Sequence, residues 1–364
     1  VKTTDLIIRW PLYQLNYFLG YPRLLPFNYT LLVSTKCNSR CKTCNIWKQH
    51  HDELAMGEWE KILKSLGHSP YWITISGGEP FLYPEIVNFV KLCGKICQPA
   101  IINIPTNSLL ASKISGDVEK MLKDSPGVKL VINLSLDGIG QQHDTIRGIP
   151  GNFNKFEENY RNLKKLKEKY SNLTIGIHSV ISRYSVRHAR ELIDYAFSLG
   201  PDQYISEVAE NRVELGNLDL KITPTHNEYA TAIDFLLNKI KARKFSGVAL
   251  FSESFRQEYY QFVKKWLSRK PIKMRDFAGW ASCQITSWGE VWPSCIRAEN
   301  LGNLRTYGYD FGRVWFGPKA RLVRQKIKRH PSSFPLANAF YSSSLLDPGT
   351  LKRVLFNIAK QGVL

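Results

Sequence analysis

Cys37, Cys41 and Cys44 stand in C-x3-C-x2-C spacing directly after the apolar run 29–33. Three thiolates on one loop can hold three irons of an iron–sulfur cube, because thiolate is the ligand such clusters use. The spacing leaves a fourth iron with no protein ligand nearby, and an open metal position is where a small molecule binds and reacts. Two other readings fit the same residues: unrelated buried thiols, or a zinc knuckle completed by His50 or His51.

Further groups with chemical potential recur at regular intervals. Gly77-Gly78-Glu79-Pro80 follows the run 72–75, where glycines allow close backbone approach, although such a string alone is ordinary turn chemistry. Asn107 follows the run 100–104 and either faces a pocket or caps the next helix. After the run 130–134, two-residue alternation places Ser135 and Asp137 on one face. His178 lies on the run 174–181 and reads as a core or pocket histidine. Glu207, Glu210 and Arg212 end the run 204–208, where they contact substrate or pair with one another.

These runs alternate with helical stretches near 56–67, 84–97, 115–123, 155–169 and 187–199. Six β-rich runs with helices between them predict a parallel sheet covered by helices. Such units present chemistry at the carboxyl ends of the strands, where all the groups above fall. From residue 216 the alternation stops. Helical stretches near 224–243 and 253–268, a hairpin turning at Trp288-Gly289-Glu290 and a helix near 318–329 follow. The expected division is 1–26 as an N-terminal cap or membrane-surface segment, 27–215 as the core, and 216–364 as a smaller C-terminal domain.

The chain has 364 residues, 43% hydrophobic, with a formal charge of +19, enough for a large core and attractive to polyanions. Two basic clusters, Arg161 to Lys169 and Arg321 to Arg329, read as exposed helix faces without a nucleic-acid motif. Residues 5–27 are apolar but broken by Arg9, Pro11, Pro22, Arg23 and Pro26, which predicts neither a spanning helix nor a signal peptide. Seven unevenly placed cysteines do not form a secreted disulfide framework, and Cys93 and Cys97 read as core thiols. A cytoplasmic protein is expected, with peripheral membrane placement as the alternative.

The order of the motifs resembles the radical S-adenosylmethionine (radical SAM) family across residues 27–215. The resemblance implies an α/β fold: a partial (β/α)6 TIM-like barrel with a smaller α+β SPASM/twitch-like C-terminal domain. It implies one 4Fe–4S cluster on Cys37, Cys41 and Cys44, whose open iron chelates the amino and carboxylate groups of SAM. One electron, from a donor such as ferredoxin or flavodoxin, then yields a 5′-deoxyadenosyl radical that abstracts hydrogen from a substrate. SAM contacts carry over to Thr43 (where an aromatic residue is common), Gly77, Gly78, Glu79, Asn107, Ser135 and Asp137. Arg40 and Lys42 would offset cluster charge. His143-Asp144-x-x-Arg147-Gly148 is similar to the H-D-x-x-R-G of the SPASM/twitch subgroup, with Arg147 fixing its loop.

The C-terminal third departs from that subgroup. Auxiliary-cluster cysteines are expected near Asp276 and at Ser294, whereas the available ones are Cys283 and Cys295. A one-residue shift in a strand turns a side chain to the opposite face, so no auxiliary cluster is expected. The expected substrate is a small molecule, with the basic charge and apolar N-terminus favouring an anionic or lipid-linked one. Peptide or RNA modification is the alternative enzyme reading, and a non-catalytic SAM- and iron–sulfur-binding scaffold is the alternative from another class.

Overall fold

Burial alternates along the strands Trp72–Ser76 and Ile101–Thr106 and is nearly continuous along Asn28–Leu32 and Lys129–Ser135, and it sets the layers of the molecule. A computed structural model describes residues 3–243, 247–272, 274–331 and 335–360. Helix α1 (Thr3–Leu19) precedes six strand–helix units: β1 (Asn28–Leu32), α2 (Met56–Leu66), β2 (Trp72–Ser76), α3 (Ile86–Leu92), β3 (Ile101–Thr106), α4 (Ala111–Asp124), β4 (Lys129–Ser135), α5 (Gln141–Arg147), α6 (Asn152–Lys169), β5 (Leu173–Ile181), α7 (Ala189–Ser198) and β6 (Gln203–Val208). There follow α8 (His226–Lys241), α9 (Gly247–Leu267), β7 (Ser282–Ile285), β8 (Glu290–Trp292), β9 (Gly302–Asn303), α10 (Phe311–Trp315), α11 (Pro318–Arg329), α12 (Ala337–Ser344) and α13 (Pro348–Lys360).

The strands form one open sheet in the order β6-β5-β4-β3-β2-β1-β7-β8-β9. From β6 through β7 every pairing is parallel; β8 and β9 are antiparallel. The expected C-terminal hairpin is present as β7 and β8, and its strands continue the main sheet beside β1 (Asn28↔Ser282) instead of forming a sheet of their own. Pairing β7 to β1 covers an edge that would otherwise leave backbone groups unsatisfied.

The outer sheet face and its helices bury Ile73, Ile75, Ile102, Ile104, Ile132 and Leu134 in one core. The opposite face is polar: the Asn103 Nδ2 donates to Thr74 Oγ1, Asn133 Nδ2 to Asn103 Oδ1 (2.6 Å) and Gln203 Nε2 to Asn133 Oδ1 (3.0 Å). Gly176 on β5 is part of this layer, since a Cβ there would lie 1.9 Å from Asn133 Oδ1. Satisfied in this way, buried amides cost little and fix the register. Cys93 and Cys97 are fully buried in the helix-side core, as expected of core thiols, but the segment Cys93–Cys97 is a π-turn continuing α3.

The C-terminal region is clasped to the core by Arg305. Its guanidinium donates to Glu58 at 2.7 and 3.1 Å and to the Asp52 and Glu53 carbonyls. Tyr309 also donates to Glu58. At the amino-terminal end of the sheet, Tyr13 and Tyr17 of α1 pack on Phe27, Phe277 and Trp280. The Trp10 indole N–H and the Gln14 amide donate to the carbonyls of Leu345 and Leu346.

Candidate functional site

The carboxyl ends of β1 to β6 converge on a cavity of about 220 Å³ lined by Cys37, Cys41, Thr43, Cys44, Gly77, Gly78, Glu79, Asn107, Ser135 and Asp137. Every residue singled out above for a cluster or SAM therefore borders one space. His178, Glu207, Glu210 and Arg212 form another part of the same wall, with Leu215, Ile222 and Leu336.

The glycines of the second loop are explained by backbone crossing. The Gly78 N–H donates to the Ser34 carbonyl and the Glu79 N–H to the Lys36 carbonyl, both at 2.9 Å. A Cβ on Gly78 would stand 2.2 Å from the Lys36 oxygen, and one on Gly77 would stand 2.5 Å from the Ser34 oxygen. The loop after β2 thus fixes the start of the cysteine loop, which links sequence to site geometry directly.

Glu79 is placed differently from the expected ammonium receptor. Its carboxyl is buried and accepts from Asn107 N (2.7 Å), Thr106 Oγ1 (2.8 Å) and Phe81 N (3.2 Å), which ties the ends of β2 and β3 together. Burial, opposed by these bonds, pushes it up to about 7. Asn107 faces the cavity and is not the cap of α4, whose N-cap position is Leu110. The Asn107 amide donates to Asn38 Oδ1 at 2.8 Å and lies 3.9 Å from Cys37 Sγ. Thr43 has its carbonyl engaged by the Asn217 amide at 2.8 Å.

The cation that reaches a cysteine is Arg147. Arg40 lies 4.3 Å from the Trp47 ring and donates to the Cys37 and Ser39 carbonyls, while Lys42 lies over Tyr184. Arg147 instead places Nη1 3.8 Å from Cys41 Sγ and Nε 2.9 Å from Asp137 Oδ2. Asp137 also accepts from Val180 N, and His143 Nδ1 accepts from Asp137 N, so the H-D-x-x-R-G segment joins β4, β5 and the cysteine loop. The motif signalled Arg147, but its reach to a cysteine 106 positions away was not readable from local spacing.

Burial pushes the Cys37 thiol up to about 11 and the Cys44 thiol up to about 12. Cys41 is raised for the same reason, with Arg147 opposing. Metal binding deprotonates such thiols, and a nearby guanidinium favours that state. Among the described residues no three His, Cys, Asp or Glu side chains form a site for a single metal ion. The zinc-knuckle reading needs such convergence; a cube does not, since each thiolate takes a separate iron. His51, one candidate fourth zinc ligand, stacks on Trp288 at 3.7 Å. The three thiols on one cavity wall, with Arg147 behind Cys41, fit a cluster.

Across the cavity, His178 Nε2 lies 3.0 Å from Glu207 Oε2, and Glu207 accepts from Ala337 N of α12. Burial would raise the Glu207 carboxyl, but His178 and Arg212 outweigh it and hold it below the usual range. Glu210 accepts no hydrogen bond at either oxygen and stands 3.7 Å from Arg212 Nε. Burial pushes it up to about 8, with the Arg212 guanidinium opposing. Glu214, absent from the expected set, pairs with Arg212 Nη1 at 3.3 Å. Cys283 is a core residue of β7 opposite Tyr29, and Cys295 is buried with its thiol raised by burial.

The cavity's charged groups are Glu79, Asp137, Glu207 and Glu210 against Arg147 and Arg212. The +19 excess is therefore carried elsewhere, and the preference for an anionic substrate inferred from bulk charge has no counterpart in the lining.

Comparison with known proteins agrees with this geometry. The Radical SAM superfamily model matches residues 31–196. The chain is 25% identical over 179 residues to the sporulation killing factor maturation protein SkfB of Bacillus subtilis (strain 168), covering 48% of this chain and 41% of that protein. It is 22% identical over 320 residues to the pre-heme d1 synthase of Dinoroseobacter shibae, covering 82% and 75%. Among solved structures, SuiB of Streptococcus suis bound to S-adenosylmethionine superposes with a TM-score of 0.60 at 17% identity, over 82% of this chain and 68% of that one. The match to SkfB spans less than half of that relative's length. Members of the family use a 4Fe–4S cluster and S-adenosylmethionine, and the relatives are enzymes. With its cysteine loop, glycine turn and strand-end residues around one cavity, the region 31–196 of this chain is a radical SAM domain.

Proposed function

We propose that this protein is an enzyme that reductively cleaves SAM and uses the product to abstract hydrogen from a substrate held against the β5–β6 side of the cavity. The observation that carries this reading is that the three loop thiols, the Gly77-Gly78 turn and the carboxyl of Glu210, which accepts no hydrogen bond, line one cavity. When bound on Cys37, Cys41 and Cys44, a 4Fe–4S cluster supplies the electron that cleaves SAM to methionine and a 5′-deoxyadenosyl radical. The electron comes from a small one-electron donor such as ferredoxin or flavodoxin.

The chain's own residues then position and shield. Arg147 offsets negative charge at Cys41 while neutralising Asp137. Gly77 and Gly78 open backbone polar groups to the SAM amino end, and Ser135 offers a hydroxyl beside them. Glu79 serves as the brace that holds that turn to β3, and Asn107 orients the Cys37 side of the loop through Asn38. Glu210, whose oxygens accept no hydrogen bond, offers its carboxyl to a polar group of the substrate, while Leu215, Ile222 and Leu336 exclude water.

The substrate in this reading is a small molecule or a peptide segment with a hydroxyl, amine or amide near the reacting carbon. SkfB is named for a killing factor it matures, and SuiB has been described with its precursor peptide SuiA, which supports the peptide arm. The lining, with four carboxyl groups against two guanidiniums, does not favour an anionic or lipid-linked molecule. Anaerobic incubation with dithionite and SAM tests the reading. Release of 5′-deoxyadenosine supports it, and a folded, cluster-loaded protein that releases none is a scaffold. Comparing metabolites, lipids and peptides of cells with and without the protein then identifies the substrate class.

A further inference from the structure

Helix α1 is apolar on two faces, and the body of the protein covers only one. Its inner face, with Tyr13 and Tyr17, is buried on Phe27, Phe277 and Trp280. Its outer face presents Ile7, Ile8, Leu12, Leu15, Phe18 and Leu19, each between 36% and 74% exposed. The spacing 8, 12, 15, 19 is that of one helical stripe, and no charged residue interrupts it. Scattered exposed leucines need no explanation, but a continuous apolar stripe along a whole helix marks an interaction surface.

The stripe is bordered by cations. Lys328 Nζ donates to the Phe18 carbonyl at 3.5 Å and lies 5.0 Å from the Tyr17 ring. The Arg275 guanidinium lies 4.9 Å from the Phe18 ring. Lys328 belongs to α11, whose sequence PKARLVRQKIKR holds six basic residues and no acidic one. Ile327 and Val323 of α11 pack into the cluster under α1, so the two helices share one hydrophobic cluster. An apolar stripe beside a row of Lys and Arg is the pattern by which a helix lies in the interface of an anionic bilayer.

We propose that α1 and α11 together dock this protein on the surface of a membrane containing anionic lipid. No helix among the described residues is long and apolar enough to cross a bilayer, so the contact is interfacial. The helix packs on residues that precede β1 and β7, at the amino-terminal end of the sheet. The cavity lies at the carboxyl end, so docking leaves its mouth facing water and anchors the enzyme without feeding it lipid.

Vesicle flotation of the full chain tests this surface. Wild type is expected to float with vesicles holding about 30% phosphatidylglycerol, much less with pure phosphatidylcholine, and less again at about 0.5 M salt. The double variant Ile8→Glu/Leu15→Glu alters only exposed side chains and should lower binding to the anionic vesicles about tenfold or more. Its thermal midpoint, and its 5′-deoxyadenosine release where wild type shows any, should match wild type. Three results overturn the proposal: wild type that does not bind anionic vesicles, equal binding by the variant, or a lipid-free dimer that the double variant dissolves.

Discussion

The two ends of the sheet are built on opposite principles. At the carboxyl end, buried polar groups cross-link strand termini: Glu79 bridges β2 and β3, and Asp137 bridges β4, β5 and Arg147. At the amino end, α1 seals the core with aromatic rings and leaves an apolar stripe in the open. A substitution at the first end leaves a buried partner unsatisfied or pushes backbone apart, whereas one on the outer face of α1 disturbs nothing folded. The contrast separates where chemistry is held from where the molecule is placed.

The largest break comes at Arg147. Arg147→Gln leaves the Asp137 carboxylate buried without its cation, and loss of one partner of such a pair costs about 3–5 kcal/mol. Urea unfolding of the apoprotein should register that loss, and an effect below about 1 kcal/mol would mean that Asp137 is not held by this pair. Gly78→Ala comes next. Its Cβ meets the Lys36 carbonyl, so the turn must shift, at about 2–3 kcal/mol and with reduced cluster loading. An alanine variant of unchanged stability and iron content would show that the two loops do not cross so tightly.

A smaller and pH-dependent effect is expected where the C-terminal region meets the core. The Arg305 guanidinium, bonded to Glu58, holds that carboxyl down at about 2. A depressed folded value gives stability that is present above the ordinary carboxyl range and lost as pH falls toward 2. Solvent screening at this partly exposed pair limits the effect to about 1 kcal/mol. The thermal midpoint of Glu58→Gln should therefore trail wild type at pH 7, with the gap narrowing as pH falls below the ordinary carboxyl range and closing only at about pH 2; a constant gap would assign the difference to packing. The smallest effect on folding is that of Ile8→Glu/Leu15→Glu, within about 0.5 kcal/mol of wild type.

Much of this plan was legible in the chain. β-rich runs marked β1 to β6 within one or two residues, since parallel strands buried between layers read as apolar, β-branched runs. The cysteine loop and the glycine turn announced themselves by residue type and by standing after strands. What escaped depended on contacts distant in sequence. The four-residue β7 reads as half of a hairpin, and only the free edge of β1 decides that it joins the main sheet. Arg40 and Lys42 are neighbours of the cysteines in sequence, yet Trp47 and Tyr184 draw them aside, and Arg147 arrives from the far side of β4. Glu79 looks like a ligand carboxylate until its oxygens are seen on Thr106 and Asn107. The N-terminal run could be read as a cap or as a membrane segment because it is largely apolar but broken by charges and prolines. The structure places its inner face on the core and leaves the outer face exposed.

Anaerobic reconstitution of wild type and of Cys37→Ala, Cys41→Ala and Cys44→Ala, scored for iron, sulfide and 5′-deoxyadenosine, tests the central claim most directly. The account expects about four irons per wild-type chain and SAM cleavage under dithionite, with both lost in each variant. About eight irons per chain, or about four that survive removal of these cysteines, would place a cluster elsewhere and contradict it.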